Sequence, residues 1–237
     1  MSKKVYLTLI VIVLIVASVA AAYYVLNTSS RPRVTTITAG VSVGDVFIYR
    51  LEGFADSHVD FSIPGNFVDI NNTKYYRVEI TKVDVPIVSF TVSWEFNNGT
   101  LHSYDGMINL ENGLYSGFYW DIYAANLKAG DLSRPETTDE PKVNSTQTKT
   151  ISGSNREINF LTASYEAYDP TDVTYTKMCY VYNYVYFDKQ IGMMVAARTL
   201  EIYNSPEIFL TVEFNLVEYT LAGSDTVKIP ASINFFS

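Results

Sequence analysis

Val5 to Leu26 form an unbroken apolar run, VYLTLIVIVLIVASVAAAYYVL, directly behind Met1-Ser2-Lys3-Lys4. No charged residue, proline or glycine interrupts it. A helix rises about 1.5 Å per residue, so about 20 such residues cross the hydrocarbon core of a bilayer. The run is too long and too uniformly apolar for a strand of a water-soluble body, so it divides the chain into a membrane-directed segment and everything after it. Two fates follow. In the first, residues 5–26 are a single-pass anchor and residues 1–4 a short cytoplasmic N-terminus. In the second, Val5–Val16 is the core of a secretory signal cut near Ala20–Ala22. Tyr23-Tyr24-Val25-Leu26 prolongs the run past that cut and sets paired tyrosines where a membrane–water interface favours them, which favours the anchor.

Direction across the membrane is set less firmly. Lys3 and Lys4 are nearly balanced by Arg31 and Arg33 on the other flank. Asn27, Asn71, Asn98 and Asn144 each begin an Asn-x-Ser/Thr acceptor pattern for glycosylation, at a density close to chance for this composition. Together these features predict a cell-membrane protein with its C-terminal body extracytoplasmic, the alternative being a secreted body.

The formal net charge of −8 with only 17 Lys plus Arg leaves no basic surface for a phosphate backbone, so nucleic acid is not an expected partner. Cys179 is the single cysteine, which excludes an internal disulfide and a thiolate metal cage. A body exported without disulfides is held by its core, and 19 Tyr, 13 Phe and 2 Trp supply one.

Past a small, polar spacer at 27–39, the pattern becomes alternating. Val88, Phe90, Val92, Trp94 and Phe96 are interleaved with Ser89, Thr91, Ser93, Glu95 and Asn97, one apolar and one wet face of a strand. Asn97-Asn98-Gly99 then predicts a tight hairpin through positive-φ residues. His102, Tyr104, Ile108 and Leu110 return, Glu111-Asn112-Gly113 turns again, and Leu114, Phe118, Trp120 and Ile122 mark a further strand. Residues 74–124 thus read as a β-meander. Ala125–Lys149 is polar, with one Gly and two Pro, and reads as a long surface connection or the join between two sub-sheets. Alternation resumes at Ile158 and Phe160, then at 173–187 with a turn at 188–192, at a partner from Met193, and at 208–219. Residues 222–237 lose it. The expected class is mainly β: an antiparallel meander over 40–221, forming a sandwich or a curved half-barrel, with an irregular tail at 222–237. Gly44-Asp45 and Gly130-Asp131 hint at duplication, but a Gly-Asp turn before a strand is the simpler reading.

Chemistry-bearing residues are sparse. His58 and His102 are the only histidines. Asp56, His58 and Asp60 share a strand face, yet same-face neighbours lie about 7 Å apart, too far to chelate one small ion. Asp169-Pro170-Thr171-Asp172 has two carboxylates but not the ligand spacing of a calcium loop. Asp121 and Glu95 sit on predicted strands where a cleft could use them, with nothing to pair them. Nucleophile elbows, phosphate loops and paired-Cys motifs are absent from the sequence. No catalytic, cofactor or metal residue is therefore predicted. Tyr180, Tyr182, Tyr184 and Tyr186 put four phenol rings on one strand face. That face is either a stacking platform for sugar rings or a partner, or a sheet surface covered by cross-strand aromatic pairs, the second being the commoner use. Cys179 reads as a small buried hydrophobe.

Gly40-Val41-Ser42-Val43-Gly44-Asp45-Val46-Phe47-Ile48-Tyr49 after the apolar run, Phe96-Asn97-Asn98-Gly99-Thr100, Ala125-Asn126-Leu127-Lys128-Ala129-Gly130-Asp131 and Tyr186-Phe187-Asp188-Lys189-Gln190-Ile191-Gly192-Met193-Met194-Val195 carry a resemblance over most of residues 40–220. On these segments the chain resembles uncharacterised archaeal N-terminally anchored, β-rich surface or envelope proteins. Members often have Trp where Phe187 stands and Thr where Ile191 stands, and often continue into a second membrane helix after an Ile-Pro step. The resemblance implies a compartment and a lineage; it carries over no activity and no functional residue.

The function expected from these features is non-catalytic: a membrane-anchored envelope domain that binds a glycan, an envelope protein or its own kind, or plays a structural part. The alternative is a carrier or sensor for an apolar or lipidic ligand in a half-barrel groove. An envelope-polysaccharide hydrolase is a third reading, weakened by the scarce histidines and unpaired carboxylates.

Overall fold

The computed structural model describes residues 36–57, 65–119, 121–137, 140–168, 178–204, 207–231, 233, 235 and 236. The apolar run at 5–26, the acceptor at Asn27, His58 and Asp60, Trp120, and the Asp169–Asp172 turn lie outside the described residues. Among the described residues no helix is long and apolar enough to cross a membrane.

The described residues form one antiparallel sheet of eleven strands: β1 (Val46–Ser57), β2 (Thr73–Asp84), β3 (Ile87–Phe96), β4 (Leu101–Asn109), β5 (Tyr115–Ser116), β6 (Val143–Ile151), β7 (Ser154–Tyr168), β8 (Met178–Asp188), β9 (Met194–Asn204), β10 (Glu207–Thr220) and β11 (Val227–Lys228). Its order is β5-β4-β3-β2-β1-β10-β9-β8-β7-β6, with β11 added on β10. The strands on either side of 125–149 therefore belong to one hydrogen-bonded sheet. Two meanders, β1–β5 and β6–β10, join where β1 meets β10 along Val46↔Thr220 to Ser57↔Ile208. The expected meander is present over β2–β5, and its Asn97-Asn98-Gly99 hairpin closes with Gly99 alone at positive φ. The Asn98 side chain accepts from Thr100 N at 2.9 Å.

Alternation gives the sheet two faces. Phe47, Tyr49 and Leu51 of β1 are buried on the inner face, and Ile48, Arg50 and Glu52 point the other way. Val78 and Ile80, Val88, Phe90 and Val92, Ile108, and Leu216 extend the same apolar layer across the neighbouring strands. At one end a two-turn helix, α1 (Gly65–Asn71), lays Phe67 on Cys179, Val181, Tyr203 and Leu210. The Asn71 side chain holds it there by accepting from Gly53 N at 2.9 Å and donating to Gly53 O at 3.1 Å.

Three sequence expectations change. Leu114, Phe118 and Ile122 do not share a strand: pairing stops after Tyr115–Ser116, and Ile122 makes a single bridge to Met193. The stretch 125–149 is only partly a surface connection. Ala124, Ala125 and Leu127 are buried, and 143–149 belongs to β6, an edge strand whose polar side chains hid it. The tail 222–237 includes β11 and packs back onto the sheet through Ile229 and Phe235, both buried.

Candidate functional site

β5 and β6 lie at opposite edges of the sheet, so the segment between them, 117–142, must pass from one edge to the other. It does so across the inner face. Met194 N donates to Asp121 O at 3.2 Å, Tyr123 N to Gly192 O at 2.9 Å, Ala125 N to Thr38 O at 2.8 Å and Asn126 N to Lys189 O at 2.7 Å. The Asp188 carboxylate orders the turn it rests on, accepting from Gln190 N, Ile191 N and Arg156 Nε.

Between this crossing segment and the sheet is a half-open cavity of about 400 Å3. Its floor is two cross-strand rows fixed by register: Leu161–Val185–Ala197–Phe214 and Ala163–Asn183–Thr199. Space exists because alanine, threonine and asparagine stand where the rest of the inner face carries large side chains. Its roof comes from Tyr115 of β5 and from the crossing segment. Tyr115 of β5 and Tyr165 of β7 line the same cavity although eight strand-to-strand steps separate them. A flat sheet would hold them about 38 Å apart at about 4.8 Å per step, so this sheet is strongly bent around the cavity.

The roof is rich in hydroxyls and charge. Tyr119 is buried against Tyr49, Tyr76 and Phe90, with its ring 5.7 Å from that of Tyr49. The Tyr49 and Tyr119 hydroxyls lie 2.8 Å apart, and Tyr49 also donates to Met194 O at 2.9 Å. Burial pushes both phenols, and that of Tyr76, well above their ordinary range. Beside them Tyr123 donates to Asp121 Oδ1 at 2.8 Å. Arg134 is buried, sits 4.5 Å over the Tyr123 ring and donates to Ile122 O at 2.6 Å. Ser133 donates to Glu140 at 3.2 Å. Asp121 is half-buried, and desolvation raises its carboxyl pKa despite the Tyr123 hydrogen bond and the attraction of Arg134. Among the described residues Asp121 Oδ2 has no hydrogen-bond partner, and Asp121 is one of the residues that line the cavity.

Of the two carboxylates singled out in the sequence, Asp121 therefore does face a cleft. Glu95 does not; it pairs with Lys74 at 2.6 Å on the surface. Glu140 and Arg134 had no pattern to mark them. Asp121 and Glu140 share the cavity lining, and Arg134 is attracted to both charges. His102 is exposed, stacked on Tyr104 and within 3.1 Å of its hydroxyl. Among the described residues no three His, Cys, Asp or Glu side chains converge as metal ligands. Asp56 is exposed on the outer face, and Cys179 is buried under α1.

The four tyrosines of β8 all lie on the outer face, but they are not equivalent. Tyr186 stacks on Phe160 at 4.6 Å and is covered by Phe235 and Phe236 of the tail. Tyr182 and Tyr184 are half-buried, and Tyr180 is 40 % exposed. The flat four-ring platform is thus reduced to three, because the tail takes one end. Of the acceptor asparagines, Asn98 is exposed at a hairpin tip, Asn144 is exposed with Oδ1 bonded to Thr162 N, and Asn71 is engaged with Gly53. Comparison with protein-family models and with curated proteins returns no match.

Proposed function

We propose that the chain is a non-catalytic binding protein of the cell envelope, tethered through residues 5–26, whose bent sheet holds a small apolar or amphipathic molecule under the crossing segment. Of the two expectations drawn from sequence, general envelope binding and a half-barrel carrier or sensor, the second gives the first a location. The observation that carries it is the cavity of about 400 Å3 between the inner face and residues 117–142. Its size and mixed lining suit a small ligand: mostly apolar and aromatic walls with a few convergent polar groups. Tyr115, Phe118 and Tyr165, each more than half exposed, line it, and apolar groups left in water at a cleft mark a binding region. A hydrolase reading draws less support, since the cavity carboxylates Asp121 and Glu140 are separated in role by Arg134 and bonded to Tyr123 and Ser133.

The test is binding of the neutral fluorophore N-phenyl-1-naphthylamine. Wild-type protein is expected to bind it saturably, and Ala163→Trp, which fills the floor, to weaken it at least tenfold with the far-UV circular dichroism unchanged. Equal binding by both would refute the assignment.

A further inference from the structure

The proposal above leaves open which polar group the ligand carries, and the cavity's own chemistry bears on this. Asp121 and Glu140 bring two negative charges to the lining and Arg134 one positive charge, among its described residues. Arg134 is already committed, to Ile122 O and to the face of Tyr123. Asp121 lines the cavity, and among the described residues only its Oδ1 is bonded, to the Tyr123 hydroxyl at 2.8 Å. Tyr115, Phe118, Tyr119, Tyr123, Tyr165 and Phe214 all line the same space. Aromatic walls with a carboxylate between them attract a cation twice over, through the ring quadrupoles and through direct charge, and they repel an anion.

Resting on the binding reading of the same cavity, we infer that the ligand's polar end is an ammonium group that docks on Asp121 Oδ2 between aromatic rings, with its apolar part on the Leu161–Val185–Ala197–Phe214 row. The space limits its size. A half-open cavity of about 400 Å3 suits a small molecule, such as an amine of short or medium chain, and not a whole two-chain lipid. Burial raises the carboxyl pKa of Asp121. An ammonium lying against it would hold it ionised and return part of the solvation the folded chain removes. Tyr49, Tyr76, Tyr119, Tyr123 and Arg134 are the other titratable groups that sense Asp121. All the phenols among them stay protonated at neutral pH, so the cavity's charge there is set by the two carboxylates and Arg134.

The experiment compares hexylammonium, hexan-1-ol and hexanoate, three probes of one chain length, by equilibrium dialysis against the full chain in zwitterionic lipid nanodiscs. The Ala163→Trp protein serves as the blank for partition into lipid. Hexylammonium is expected to bind at least tenfold tighter than the other two, and Asp121→Asn to remove about tenfold of that affinity while leaving hexanol unchanged. Hexanoate or hexanol binding as tightly as the amine would overturn the ammonium assignment and leave the cavity reading standing. An unchanged amine affinity in Asp121→Asn would also overturn it. If none of the probes binds above the Ala163→Trp blank, the cavity reading itself fails. Should Asp121→Asn not fold, the ranking of the three probes on the wild-type chain decides alone.

Discussion

Asp121 shows how one side chain can be legible in a sequence by type and illegible by setting. Its position among alternating apolar residues marked a carboxylate near an apolar face, but its neighbours Tyr49 and Tyr76 come from distant points in the chain. The register of β1 with β2, which pairs Tyr49 with Tyr76, and the path of the crossing segment bring them together. The setting has a stability consequence. Desolvation raises the carboxyl pKa above 3.8, so the folded state binds that proton more tightly than the unfolded chain does. Stability tied to this group is therefore gained as pH falls through the raised folded value, and is constant below 3.8. At neutral pH the cost of the buried charge is present in full. An asparagine in its place would keep an acceptor for the Tyr123 hydroxyl without the charge. Asp121→Asn is accordingly expected to raise Tm at pH 7 by about 2–4 °C, a gain that shrinks toward zero by about pH 4. Scanning calorimetry at both pH values checks this; a lower Tm at pH 7 would show the carboxylate to be a net stabiliser.

At the scale of elements, strands with large apolar residues on one face were readable, and those whose burial depends on another segment were not. β3 and β10 announce themselves by period two. β6 (VNSTQTKTI) does not, because an edge strand needs only one partner and keeps polar side chains toward water. The crossing segment was misread for the converse reason: Ile122 reads as a strand position and the polar composition from Ala125 onward hides Leu127, while Tyr119, Ile122, Tyr123 and Leu127 are buried without a regular spacing. The paired Gly-Asp dipeptides repay a closer look. Asp45 Oδ2 accepts from Ser42 N at 2.8 Å, and Asp131 Oδ2 from Lys128 N at 2.8 Å, with Gly44 and Gly130 at φ of 92° and 91°. Both are the same β-turn with its third residue in the left-handed region; the first leads into β1, as the simpler reading held, and the second into an isolated bridge from Leu132 to Lys142. The tail is the element that sequence left undecided. Phe235 is 4 % exposed and packs with Phe236 on Tyr186, while Arg198 lies 4.2 Å over the Phe236 ring. All of this is on the outer face, with the sheet between it and the cavity. Phe235→Ala is expected to cost about 3–5 kcal/mol in urea denaturation, the usual range for a buried aromatic, while naphthylamine binding in the folded protein is unchanged. Weakened binding would mean that the two faces are coupled through the sheet.

For the whole molecule the governing fact is that β1 and β10 join the two meanders from Val46↔Thr220 to Ser57↔Ile208, and the segment that roofs the cavity connects the two outer edges of the sheet. Neither meander has a complete core without the other, since Tyr119 packs on Tyr49, Tyr76 and Phe90 from the first while Tyr123 stacks on Phe187 from the second. Residues 36–237 form one compact unit, whose core clusters are built from its own described residues. If residues 5–26 serve as a tether and contribute nothing to that core, removing them must change where the protein resides and leave how it folds unaltered. Residues 36–237 made alone are therefore expected to be soluble, to unfold in one cooperative transition, and to bind naphthylamine as the full chain does. The full chain is expected to remain with the membrane fraction through an alkaline carbonate wash, which strips peripheral proteins and spares spanning ones. Release of the full chain by that wash would sink the tether. Aggregation or non-cooperative melting of 36–237 would show instead that the apolar run completes the fold, and the separation of anchor from binding body would have to be abandoned.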